Sequence, residues 1–184
     1  MKSLNKVQKI SKVLHILSQI AFVFTIVGFA LCLFAVVGVS VLGDDPEFIQ
    51  MFTDEGISYN FKEVLCLCIV ASIECLVGIV VYFYVKNFYK KELQIGTPFN
   101  KQVAQDAKRL GLICIFVPLG AMVVNAIIIA CFKLNLEMYE ITDIAMGLVY
   151  LILGCVFDYG ADVINVKVQQ ANLQKETAVE IEEK

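Results

Sequence analysis

Few side chains in this chain could do chemistry, and the two that stand out lie inside apolar runs. Glu74 is the one charge in 64–85, and Asn125 sits in 110–132, which has no formal charge. An acid at the centre of a span costs about 2.5–3.5 kcal/mol on insertion scales, so it marks a functional or structural site by default. Glu74 is ten residues from the outer end of its run, about 15 Å deep at the helical rise. Asn125 is seven residues from the outer end of its own, about 10.5 Å deep. They come within reach if their helices pack together, with the neutral acid donating to the amide oxygen. Two readings stay open: a structural hydrogen bond, or an acid that senses a proton or a ligand. Both place Glu74 on the inner face of a helix bundle.

The remaining reactive residues read as packing. The seven cysteines (Cys32, Cys66, Cys68, Cys75, Cys114, Cys131 and Cys155) all fall inside apolar runs. A disulfide framework would place them in polar loops. Cys66 and Cys68 are two apart, so on a helix they point to different sides and do not form a metal pair. His15, the single histidine, stands in an interfacial turn without a Ser or Cys partner at an informative spacing. The sequence has no phosphate-binding glycine loop and no metal-ligand cluster. The expectation is therefore a non-enzyme with no cofactor and no metal.

A third candidate is polar. Residues 86–109 hold six of the fifteen basic residues against Glu92 and Asp106. Gly96-Thr97-Pro98 ends the preceding helix, because proline disfavours helix at the residue before it. Phe99 follows, and Asn100 is a good N-cap for the next helix. Val103, Ala107 and Leu110 lie on one face of that helix, with Lys101, Gln105 and Lys108 elsewhere. Gly96, Thr97, Pro98, Phe99 and Asn100 are the candidate residues for a partner on the cytoplasmic side. Anionic lipid headgroups are a second candidate ligand for this basic stretch.

These residues need a membrane to position them. The chain of 184 residues is 59% hydrophobic and 18% charged, with mean hydropathy +0.75. That is more apolar and less charged than a soluble domain. The expected fold is all-α: an integral membrane bundle of four transmembrane helices at about 17–42, 64–85, 110–132 and 141–164, with a juxtamembrane amphipathic helix. It forms a single membrane domain, with a polar cytoplasmic tail at 165–184. The N-terminal segment reads as an amphipathic turn on the membrane surface. Its apolar run is too long for a signal peptide, which predicts an uncleaved span. The fourth apolar run, 144–157, is short alone and reaches full length only when extended past Asp158 and Asp162. Pro118 predicts a kink.

Small residues predict the contacts. Ala21, Gly28 and Ala35 recur every seven residues, as do Gly147, Gly154 and Ala161. Ala71, Cys75 and Gly78 share a side of the second span, and Gly120, Ala121 and Asn125 suggest a face on the third. Tyr82, Tyr84, Phe88 and Tyr89 collect where an aromatic belt would lie. The N-terminal segment and the central connection together carry ten basic residues, and the loop at 44–63 is acidic. The positive-inside rule then places both termini in the cytoplasm of a cell-membrane protein. No basic face with interleaved aromatics points to direct nucleic-acid binding.

At Gly96-Thr97-Pro98-Phe99-Asn100, again from Ala107 to Gly111, and at Tyr159-Gly160-Ala161, the sequence resembles the YoaS-like proteins, bacterial four-span membrane proteins of unknown function. The resemblance covers most of the chain. It departs at the tail, where Glu176-Thr177-Ala178-Val179 only loosely echoes the acidic closing element of that family. Proteins of this kind often accompany small helix-turn-helix regulators. The resemblance thus implies a membrane-bound regulator or sensor acting through its cytoplasmic loop on a soluble partner. The alternative is a small transporter or channel component that uses the intramembrane carboxylate.

Overall fold

The computed structural model describes the backbone of residues 2–42, 61–134 and 142–182, and side chains over 8–42, 61–134 and 145–174. The expected acidic loop, most of the acidic link before the last span and the end of the tail lie outside the described residues. The described chain is four helices, α1 (Lys2–Leu42), α2 (Phe61–Ile95), α3 (Lys101–Phe132) and α4 (Thr142–Glu182). All four are long and apolar enough to cross a membrane. The chain is a multi-pass membrane protein whose exposed Leu, Ile, Val and Phe side chains form a surface suited to lipid.

The helices are 32 to 41 residues long, or about 48–62 Å, against a hydrocarbon core of about 30 Å. The excess collects at one end, because neighbouring helices run antiparallel. The start of α1, the end of α2, the start of α3 and the end of α4 extend together beyond the uncharged runs. The N-terminal segment is thus the opening of α1 and not a separate surface turn. The expected juxtamembrane helix is likewise the start of α3, which continues unbroken through Pro118.

The bundle is open. α1 packs on α2, α2 on α3, and α3 on α4, while α1 and α4 share no extensive interface among the described residues. Its tightest core lies at the charged end and comes from α2, α3 and α4: Val85, Phe88, Val103, Ala107, Leu110, Cys114 and Tyr150. The expected aromatic belt is only half present. Tyr82 and Tyr84 are exposed as expected, but Phe88 is buried and Tyr89 shares a hydrogen bond with Tyr150 across to α4 (3.2 Å).

Hydrophobic burial cannot drive helix association within lipid, so close backbone approach must do so. Gly147 meets the Gly111 carbonyl, and Gly154 lies against Lys108 and Ala104. On the other seam, Gly28 touches Cys75 and Gly78 receives Thr25. The proposed face on the third span is half right. Ala121 and Asn125, four apart, are buried together, whereas Gly120 has open space beside it. One residue turns a helix by about 100°, which moves Gly120 off that face.

Candidate functional site

The structure brings Glu74 and Asn125 together across the α2–α3 seam. Asn125 Nδ2 donates to Glu74 Oε1 at 2.6 Å. Glu74 is twelve residues from Lys62 and twelve from Lys86, about 18 Å from each along the helix, which puts it near mid-membrane. Asn125 is buried, with 5% of its surface exposed. Two expectations need correcting. Glu74 itself is exposed, because an open row of helices gives α2 no enclosed interior, and only its carboxyl turns in to α3. The amide also points the other way, donating and not accepting, so Asn125 Oδ1 is left buried without a partner.

The α2–α3 connection is built as a fitted hinge. Gly96 closes α2 at φ 76°, a left-handed conformation that favours glycine, and its N–H bonds the Glu92 carbonyl at 3.0 Å. Pro98 is buried. Asn100 is the expected N-cap, with Oδ1 accepting from Gln102 N at 2.8 Å. The expected face of α3 packs inward: Val103, Ala107 and Leu110 are all at most 2% exposed.

Two helices distant in sequence grip this hinge. From α1, Gln8 Nε2 donates to the Gly96 carbonyl (2.9 Å) and Ser11 Oγ donates to Glu92 Oε1 (2.9 Å). Burial pushes the Glu92 carboxyl above its ordinary range, partly offset by the Ser11 hydrogen bond. From α4, Gly160 lies under the Phe99 ring, which meets Phe157 edge-on at 6.1 Å. The motif at 96–100 and the motif at 159–161 are therefore two sides of one contact. Ion pairs fasten the same end: Lys91–Asp106 joins α2 to α3, while Lys101–Asp162 and Lys108–Asp158 join α3 to α4. The last two hold the acids that the fourth span must accommodate.

The sequence reading missed the Ser11–Glu92 and Gln8–Gly96 contacts. Their one signal was a glutamate on the face of α2 that continues its apolar stripe. The described cysteines are all free thiols, and a hydrogen bond links those of Cys75 and Cys32 across α1 and α2. The described residues contain no group of three or more potential metal ligands. Comparison with family models, curated proteins and solved structures finds no match.

Proposed function

We propose that this protein is a membrane-embedded regulator, seated in the cell membrane with both termini in the cytoplasm, that acts on a soluble partner through the α2–α3 connection. The observation that carries this reading is the grip on residues 96–100 from α1 on one side and α4 on the other. A mere connector needs a turn and a charge. This one is fitted to two other helices, so a shift of either inside the bilayer reaches the surface through it. Phe99 remains 41% exposed while it touches α4, which gives a partner an aromatic anchor. The resemblance to YoaS-like proteins supports the same role and suggests a small helix-turn-helix regulator as the partner class.

Two substitutions test this from opposite sides. Phe99→Ala removes the ring, and Gly160→Leu displaces it, because even a methyl group at 160 collides with Phe99. Both variants are expected to insert normally and to shift the partner-dependent output at least several-fold in the same direction. Wild-type output from both would reduce the hinge to a connector.

A second reading rests on the Glu74–Asn125 pair. A mid-membrane carboxyl beside an amide with an unused acceptor is suited to take up and release a proton, as a transporter component would require. That reading makes Glu74 the working group and leaves the hinge without a role.

A further inference from the structure

We propose that the groove between α2 and α3, at the end where the two helices connect, binds the phosphate headgroup of an anionic phospholipid. It is a cavity of about 680 Å³, within the range of ordinary ligand pockets. Lys90, Lys91 and Arg109 line it against a single carboxylate, Asp106. Lys91 already pairs with Asp106 at 2.9 Å.

The other cations of the connection show why this groove differs. Lys101 and Lys108 pair with acids of α4, and Lys86 sits over the Phe22 ring at 4.4 Å. Among the described residues, Lys90 and Arg109 are the two cations of residues 86–109 with no such partner. Both are exposed, and both face this cavity. Two unpaired positive charges beside one neutralised acid complement a phosphate.

Depth selects a lipid over a soluble anion. Arg109 immediately precedes the uncharged run of α3, and Leu112 and Ile113 continue its face one turn deeper. On α2, Tyr84 lines the same deeper part of the cavity. The groove therefore runs from a cationic mouth at headgroup level to an apolar floor at acyl level. An arginine fork takes two phosphate oxygens, and a lysine beside it adds a point charge. Basic pockets between membrane helices hold anionic headgroups by this chemistry.

The test uses the full-length protein in phosphatidylcholine nanodiscs into which phosphatidylglycerol is titrated, with bound lipid read by native mass spectrometry. Wild type is expected to retain phosphatidylglycerol over phosphatidylcholine. The variant K90Q/R109Q is expected to bind phosphatidylglycerol about thirtyfold more weakly, from roughly fivefold per lost charge at the surface. Lys90 and Arg109 are exposed, so the variant should keep its wild-type thermal midpoint. The variant K9Q/K12Q removes the same charge from exposed positions of α1 at the same end and is expected to bind like wild type. Equal losses from the two variants would overturn the proposal, since the attraction would then be the general field of the basic end. So would a wild type with no preference between the lipids. Displacement of phosphatidylglycerol by excess inorganic phosphate, with no help from an acyl chain, would overturn it in favour of a soluble anion.

Discussion

Gly147→Ala is expected to lower the thermal midpoint of the purified protein, although it adds a single methyl group. A Cβ at Gly147 would stand 2.9 Å from the Gly111 carbonyl oxygen, and one at Gly111 would stand 2.8 Å from the Leu151 nitrogen. The neighbours are backbone, so relief requires α3 and α4 to move apart. Overpacking of this kind costs about 1–3 kcal/mol, or roughly 2–4 °C for each kcal/mol in a chain of this size. Separation of α3 from α4 also strains the Lys108–Asp158 pair and the Phe99–Gly160 contact, so partner-dependent output should fall with stability. Gly120→Ala is the control. Nothing lies within 4 Å of a Cβ there, and removal of a mid-helix glycine should stabilise by about 0.5–1 kcal/mol. Thermal melts followed by size exclusion compare the two. Equal effects at 120 and 147 would mean that α3 and α4 are not in close contact.

Asn125→Leu should be the second costly substitution. It strips the Glu74 carboxyl of its hydrogen-bond donor in mid-membrane, and an orphaned polar group costs about 1–3 kcal/mol. The double variant E74L/N125L should recover most of that loss, because replacing both partners by apolar groups is close to neutral. Glu74→Gln behaves differently from both. Its amide accepts from Asn125 Nδ2 as Glu74 does and can also donate to the unpartnered Oδ1, so folding should match or exceed wild type. Melting curves of wild type, Glu74→Leu, Asn125→Leu and the double variant form a closed cycle, with a coupling of roughly 0.6–2 kcal/mol expected for a bond in lipid. Zero coupling would separate the two residues energetically. Output then distinguishes the readings of the site. A well-folded Glu74→Gln without activity makes the proton of Glu74 essential and favours the transporter reading. Wild-type activity leaves the pair as a packing bond and favours the regulatory reading.

Much of the architecture was legible because it is local. Apolar run length gives the spans. Gly96 and Pro98 end α2, Asn100 opens α3, and each acts through its own neighbours in sequence. The stripe of Gly147, Gly154 and Ala161 was readable because a helix repeats its face about every seven residues, and all three are buried or in close contact with α3. Partners distant in sequence were not readable. Ser11 and Glu92 are separated by 81 residues, and no periodicity states which helix α1 will pack on. The open row of helices was hidden for the same reason, since four amphipathic or apolar faces fit a closed ring as well as a row. That difference turned Glu74 from an expected inner residue into an exposed one that reaches back to Asn125.

A soluble cytoplasmic protein docked on the α2–α3 connection, as proposed, would lie within reach of the exposed start of α3. In vivo photo-crosslinking from Gln105 tests this docking most directly, with a photoreactive residue placed at that exposed position of α3 in the full-length chain. Val123, exposed on the lipid-crossing part of the same helix, serves as the comparison. One prominent adduct with a soluble cytoplasmic protein is expected from position 105, with none from 123 and with its loss in the Phe99→Ala background. Adducts from 105 that match those from 123, or that join a protein on the opposite side of the membrane, would contradict the docking.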